Sequence, residues 1–403
     1  MIKRPGLPIL IALATIGPMA LNIFMPSMPR IAEEMGVPYA TIQYALTLYL
    51  FSIAVSQLFI GPISDRFGRR PVMLGGLVLF LVATAICAAA TNVETLIAGR
   101  MLQAAGGATG LVLGRAVVRD LYGRDKSASM IGYVTTAMMV MPLIVPSIGG
   151  LLDQYFGWRA SFIFGFLFGA AVLVYACFAM HETKHDRTEN LSLFGTFRGI
   201  GVISGHAAFW GYAMFAALLS GMFFSFLAGA PYIIIELLGH TPVEYGLMIM
   251  VPATGYMAGN FISGRYSERV GADRMMALGG MMTVLGSVAI VGFAAAGMFN
   301  AWGIFIPMIF ISIANGLSLP NALASAISVR PELAGAGSGL SGFLQMGIGA
   351  GVAQIVGYLQ TDTQWPMVSV MAASGLLGVG CYMLGALSRR RLARAGADPL
   401  AAE

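Results

Sequence analysis

The sequence predicts an all-α integral membrane protein whose twelve spans form two related six-helix lobes, and three observations point to it. Of the 403 residues, 58% are hydrophobic and 10% charged, where soluble domains carry about a quarter charged. Apolar runs of about 20 residues, enough to cross about 30 Å of hydrocarbon as helix, recur along almost the whole chain. A loop sequence from the first half returns in the second at a spacing of half the chain length.

The runs lie near residues 7–29, 41–63, 72–91, 95–117, 129–151, 160–180, 207–229, 244–264, 275–297, 301–323, 334–358 and 366–387. They are continuously apolar, which predicts helices; strands of a barrel would alternate over about ten residues. The first run follows Lys3 and Arg4 but is too long for a signal peptide and lacks a small-x-small cleavage site, so it counts as a span. Cys87, Cys177 and Cys381 sit apart inside apolar runs, as packing residues, with no disulfide or metal implied.

Placing the N-terminus in the cytoplasm puts 20 of the 23 Lys and Arg on that side, leaving Arg30 and Arg159 outside and Arg100 within a span. That asymmetry predicts a multi-pass protein with both termini cytoplasmic. It also accounts for the net charge of +5 without a nucleic-acid partner. The lipid bilayer and a small-molecule substrate are the partners expected, and a two-lobe carrier can work as a monomer.

The one long polar stretch, around His181 to Gly205, divides the spans six and six. The predicted organisation is a first lobe over 1–180, a cytoplasmic linker over 181–206, a second lobe over 207–388 and a cytoplasmic tail over 389–403. After span two come Gly61, Ser64, Asp65, Arg66 and Gly68; after span eight come Gly264, Ser267, Glu268, Arg269 and Gly271, each 203 residues on. Pro26 after span one is echoed by Pro231 after span seven. Parallel repeats related by an axis along the membrane normal have this signature.

The first loop, with Gly61, Asp65, Arg66, Gly68, Arg69 and Arg70, resembles the signature loop of the major facilitator superfamily. Span four carries Arg100, Gln103, Gly106 and Gly107 and exits through Arg115, Arg119, Asp120 and Tyr122; span five ends in Pro142, Pro146, Gly149 and Gly150. Both are similar to the bicyclomycin and chloramphenicol resistance (Bcr/CflA-like) branch of the drug:proton antiporters. The resemblance implies the major facilitator fold, a bacterial inner membrane, no cofactor, and multidrug efflux driven by the proton gradient. It also implies that the Asp65 loop is a gating latch that docks near Gly335 to Gly339 in the outward-facing state. One position departs from that pattern: Asn22 stands where the branch usually has Asp, and an amide cannot titrate.

The residues themselves supply the candidates for chemistry. Arg100 within a span costs about 2.5–3.5 kcal/mol on insertion scales, so it either faces the bundle interior with a partner or snorkels outward beside Glu94. None of the 18 Asp and Glu falls in mid-helix, which leaves Glu33, Glu34, Glu94, Asp153 and Glu236 as peripheral groups able to titrate. Asn22, Gln43, Gln57, Gln103, Asn260, Asn315, Asn321, Gln345 and Gln354 either line a cavity or bridge helices. Tyr44, Phe223, Phe224 and Phe226 could stack on an apolar substrate, and Met138, Met139 and Met141 offer flexible thioethers. Pro142, Pro146, Gly149 and Gly150 bend the end of span five, as a fixed kink or as a hinge.

The expected cavity set is Asn22, Tyr44, Arg100, Gln103, Met138, Phe223 and Gln345, with Glu268 and Arg269 as the second loop's counterpart of the latch. A carrier for one metabolite, with atypical or absent proton coupling, stays open on the strength of Asn22. Nothing at catalytic spacing supports an enzyme, and no Gly-rich phosphate loop is present for ATP drive.

Overall fold

The computed structural model describes residues 5–121, 134, 138, 140–183, 193–330 and 333–394. In chain order the helices are α1 (Leu7–Phe24), α2 (Met28–Glu34), α3 (Tyr39–Phe67), α4 (Arg69–Ala89), α5 (Val93–Leu121), α6 (Val140–Phe156), α7 (Arg159–Ala179), α8 (Leu193–Ser204), α9 (Ala207–Pro231), α10 (Pro242–Met248), α11 (Met250–Val270), α12 (Ala272–Ala295), α13 (Ala301–Ser328), α14 (Ala334–Leu359) and α15 (Trp365–Arg394). Ten of the described stretches are long and apolar enough to cross a membrane. The fifth and eighth positions are filled by α6, whose described part has 17 residues, and by α11, which carries Arg265, Glu268 and Arg269 at its end. Each of the twelve positions read from the sequence therefore holds a helix.

Three boundaries differ from the sequence reading. Pro26 has no N–H to return to the Asn22 carbonyl, so α1 stops at Phe24 and the chain tightens into a 3-10 turn over Met25–Ser27, with the Met25 N–H taking that carbonyl. Span eight begins at Met250, because residues Pro242–Met248 form the separate helix α10. A capping box starts α10: the Thr241 N–H donates to the Glu244 carboxylate at 2.8 Å while the Thr241 hydroxyl accepts the Glu244 N–H. That backbone bond, helped by His240, holds the Glu244 carboxyl below the usual carboxylate range. Finally, the later part of the 181–206 stretch is the helix α8, while 184–192 lies outside the described residues, as do Tyr122, Met139 and the tail beyond Arg394.

The chain forms two compact units, one of Met1–Leu193 with Ile234–Met250 and one of Phe194–Ile233 with Val251–Glu403. In lipid the hydrophobic effect does not drive helices together, so close approach of backbones and interhelical bonds carry the association. In the first unit α5 meets α1 and α4 through small residues. A methyl at Gly110 would strike the Leu13 carbonyl, and one at Gly106 would lie 2.6 Å from the Gly76 carbonyl. The second unit has the same device where α11 crosses α13, with a methyl at Gly316 reaching 2.5 Å from the Tyr256 carbonyl.

The repeat seen in the sequence is present in the backbone. Gly68 between α3 and α4 has φ +101°, and Gly271 between α11 and α12 has φ +90°. Their N–H groups donate to the Ser64 and Ser267 carbonyls at 3.0 and 2.9 Å. Gly36 and Gly239, at φ +64° and +72°, form another such pair at the same offset. A Cβ at Gly271 meets nothing within 4 Å, whereas one at Gly68 runs into the Glu182 carboxylate. Gly271→Ala is therefore expected to cost about 1–3 kcal/mol of backbone strain, and Gly68→Ala more, because its methyl would also push the Glu182 carboxylate off the Arg69 and Arg70 N–H groups. Thermal unfolding of the purified variants checks this; equal losses would refute the added clash.

Candidate functional site

Arg100 is fully buried on α5, one turn before Gln103. Its Nη1 donates to the Ala20 carbonyl of α1 at 3.1 Å and to Gln103 Oε1 at 2.6 Å. Gln103 in turn donates to the Thr84 hydroxyl of α4 at 2.8 Å, and Thr84 donates to the Phe80 carbonyl. The rings of Tyr49 on α3 and Phe24 on α1 lie 4.1 and 4.6 Å from the guanidinium carbon, inside cation–π range. The Tyr49 hydroxyl donates to the Gly17 carbonyl at 3.0 Å, which fixes the ring. Four helices thus converge on one cation, and snorkelling beside Glu94 is not what Arg100 does.

Nε and Nη2 of Arg100 are buried without a hydrogen-bond partner. No carboxylate pairs with it among the described residues; Tyr49 and Cys87 are the titratable side chains that face it. Such a group is expensive, since a buried unpaired donor costs about 1–3 kcal/mol and more when charged.

Asn22 does not join this cluster. It is 3% exposed, its amide donates back to the Pro18 carbonyl at 2.7 Å, and its Oδ1 is buried without a partner. Tyr44 is 43% exposed, so of the aromatic pair on α3 it is Tyr49 that reaches the core. Met138 and Gln345 are half-buried, and Phe223 is half-buried against Phe224 with ring centroids 5.9 Å apart.

The end of α6 packs at backbone distance. A methyl at Gly149 would meet the Ile23 carbonyl of α1, and one at Gly150 the Pro242 carbonyl beside α10. Gly246 of α10 lies against Pro146 and Ser147, whose hydroxyl donates to the Gly246 carbonyl at 2.8 Å. Pro142 is half-buried on the same helix. One turn beyond Gly149 stands Asp153, 1% exposed, the one fully buried carboxyl among the described residues, with its Oδ1 unpartnered. The Ser27 hydroxyl on the 3-10 turn and the Arg30 guanidinium face it, with Glu34 further off. Arg30 also donates to the Asp153 carbonyl at 2.7 Å and pairs with Glu34 at 2.9 Å. Glu33, Glu94 and Glu236 are exposed.

At the α3–α4 corner, Arg69 is the hub. It pairs with Asp65 at 2.8 Å and with Asp120 of α5 at 3.0 Å, and it also bonds the Ser64 hydroxyl. Glu182, after α7, accepts from the Arg69 and Arg70 N–H groups at 2.9 and 3.2 Å. A carboxylate there satisfies two orphan donors and opposes the helix dipole. Arg70 reaches the Cys177 carbonyl at 3.0 Å, while Arg66 stays exposed over Phe67. Gly61 opens the turn through its carbonyl, which accepts from Ser64. The roles of Asp120 and Glu182 are missing from the sequence reading, because they lie 51 and 113 residues from Arg69 and no local pattern links them to it.

The second corner keeps the backbone and loses the hub. Ala272 occupies the place of Arg69, and Glu268 and Arg269 are both exposed. Buried polar links in that unit are amides and hydroxyls: Asn321 donates to Ser263 Oγ at 2.9 Å, and Ser374 to the Leu218 carbonyl at 2.7 Å. All three buried charged side chains among the described residues, Arg69, Arg100 and Asp153, belong to the first unit.

Arg69→Ala leaves Asp65 and Asp120 facing each other without their shared cation, and is expected to cost about 1–3 kcal/mol. Arg269→Ala, on an exposed side chain, should change stability by less than about 0.5 kcal/mol. Thermal denaturation of the two variants checks the contrast, and similar losses would refute the hub.

Residues 10–354 match the model of the Major Facilitator Superfamily. Over 377 residues the chain is 30% identical to "Multidrug resistance protein D" of Escherichia coli (strain K12), covering 93% of this chain and 94% of that one. It is 28% identical to "Bicyclomycin resistance protein homolog" of Haemophilus influenzae, over 92% and 93% of the two chains. Among solved structures, a D-xylose-proton symporter superimposes with a TM-score of 0.72 at 12% identity, covering 93% of this chain and 95% of that one. A bacterial homolog of the human lysosomal transporter Spinster gives 0.71 at 16%, covering 95% of each. The last two speak to the fold alone. With a family model matched over most of its length and multidrug and bicyclomycin resistance proteins as full-length relatives, the chain belongs to the bicyclomycin and chloramphenicol resistance branch of the major facilitator superfamily.

Proposed function

We propose that the protein is an exporter of small amphipathic or hydrophobic compounds, working by alternating access in a bacterial inner membrane with both termini cytoplasmic. The observation that carries this reading is the full-length likeness to multidrug and bicyclomycin resistance proteins. Binding near the midplane and rocking of two repeats is the general route for such carriers, and no cofactor is needed.

Export against a gradient needs an energy source, and we take the proton gradient as that source. Coupling then requires a group that titrates. Asn22 cannot, and Asp153 is the buried carboxyl the described residues offer. Its surroundings support the assignment: the 3-10 turn forced by Pro26 brings the Ser27 hydroxyl to it, and Arg30 holds the same turn to the end of α6. Asp153→Asn keeps the shape and removes the proton.

Proteoliposomes holding the purified protein, given an imposed pH gradient and a panel of phenicols, dyes and other amphiphiles, test both statements. Wild type should accumulate at least one compound against its gradient. Asp153→Asn should retain facilitated movement while losing most of the response to the pH gradient. Transport of nothing in the panel would end the export reading; an unaltered pH response in Asp153→Asn would remove Asp153 from the coupling.

A further inference from the structure

We propose that Arg30 is the positioning residue of proton coupling: it sets the proton affinity of Asp153, and Glu34 and Trp158 hold it where it does so. The proposal rests on the coupling role given to Asp153 for its biological meaning and on the bonds around Arg30 for its chemistry.

Arg30 stands on α2 and bonds in two directions. Its Nη1 donates to the Asp153 carbonyl at 2.7 Å, and its Nε donates to Glu34 Oε1 at 2.9 Å. The other oxygen of Glu34 accepts the Trp158 indole N–H at 2.8 Å. Trp158 is 1% exposed and lies edge-on to Phe162 with ring centroids 5.9 Å apart, so it is a fixed point. The guanidinium carbon of Arg159 lies 4.0 Å from the Trp158 ring centre; its Nη1 comes within 3.7 Å of Glu34, and its Nη2 donates to the Ala90 carbonyl at 3.0 Å. An arginine at a half-exposed surface ordinarily keeps its rotamer freedom. This one is tied on both sides of its fork.

The tie sets a cation beside a buried acid. The carbonyl that Arg30 takes also accepts the Gly157 N–H at 3.0 Å, so it belongs to the C-terminal end of α6, where a cation is favourable. The charged groups that face the Asp153 carboxyl are Arg30 and Glu34 of α2, together with the Ser27 hydroxyl of the 3-10 turn. Among the described residues, the other elements packed on α6 add no charge there. α1 carries none, α10 offers the phenol of Tyr245 and a Glu244 carboxylate spent on its own helix start, and Arg159 of α7 turns to Glu34. Burial by itself favours a protonated carboxyl, and a carboxyl that never ionises cannot pass a proton from one side to the other. A neighbouring cation restores the charged form. Arg30 thereby lets a carboxyl as buried as Asp153 both take and release a proton.

The test reads Asp153 directly, in the full chain in lipid nanodiscs, through its carboxylic-acid infrared band during a pH titration. Asp153→Asn, which lacks the band, identifies it. Arg30→Gln should raise the midpoint of that band by about 0.5–1 pH unit, the low end of what an adjacent cation does, because Arg30 is partly exposed and screened. Arg30→Lys keeps the charge and should take back at least half of that rise. A contact with a purely structural role would leave the midpoint where it is. An unmoved or lowered midpoint in Arg30→Gln would overturn the proposal, as would a rise in Arg30→Lys equal to that in Arg30→Gln, or a wild type without an Asp153 band. Should Arg30→Gln not fold, wild type decides: high salt, which screens Arg30, must raise the midpoint, and an unmoved or lowered one overturns the proposal. These readings need no transport. A midpoint that rises as expected, beside an Asp153→Asn variant whose transport keeps its full pH response, sinks the coupling role of Asp153 alone. An unmoved midpoint, beside an Asp153→Asn variant that has lost that response, sinks this proposal alone.

Discussion

A guanidinium held in a membrane-spanning helix, with no carboxylate paired to it among the described residues, is the interaction on which the first unit depends. Arg100 cannot reach water, so the unit must bring it substitutes for water, and it draws them from α1, α3, α4 and α5 at once. Each substitute imposes a demand of its own. Tyr49 must be pinned by the Gly17 carbonyl, Gln103 by Thr84, and Thr84 by the Phe80 carbonyl. A chain of bonds this long tolerates little error in helix spacing.

That demand explains the small residues nearby. α5 comes within reach of α1 and α4 because Gly106 and Gly110 leave room for the Gly76 and Leu13 carbonyls. Leucines at these places would be as apolar but would push the helices apart and pull the Ala20 carbonyl and Thr84 away from the polar chain. In lipid, where apolar surface is not driven inward, such close approach is itself the cohesive contribution. Packing and polar chemistry are therefore one constraint in this unit, met by the same glycines.

Twelve apolar runs and a loop repeated at half the chain length were enough to read the helices and the repeat, because hydrocarbon thickness and backbone conformation both leave marks on consecutive residues. The burial of Arg100 was also legible, since Gln103, Ala104, Gly106 and Gly107 around it describe a tightly packed face. Contacts between distant segments were not. Asp120 lies 51 residues from Arg69, and Glu182 lies 113 residues from it; nothing local marks either as its partner. Asp153 read as a peripheral group because it follows the apolar run, and its burial depends on how α1 breaks at Pro26. The place of Tyr49 against Arg100 carries no mark in the sequence, because a continuously apolar helix hides which face is inward.

The two units keep what the backbone requires and differ in what side chains can exchange. A positive φ at Gly68 and Gly271 is open to glycine at little cost and to other residues only with strain, so both corners hold glycine. The Arg69 network is side-chain chemistry that the turn itself does not need, and at the second corner Ala272 stands in place of Arg69 while Gly271 keeps the same positive φ. The same logic separates the interiors. A buried charge is costly enough that it persists only where a surrounding network and a use for it justify the cost, and among the described residues every such charge lies in the first unit. A fold built from parallel repeats can thus be symmetric in its helices while its chemistry is carried by one half.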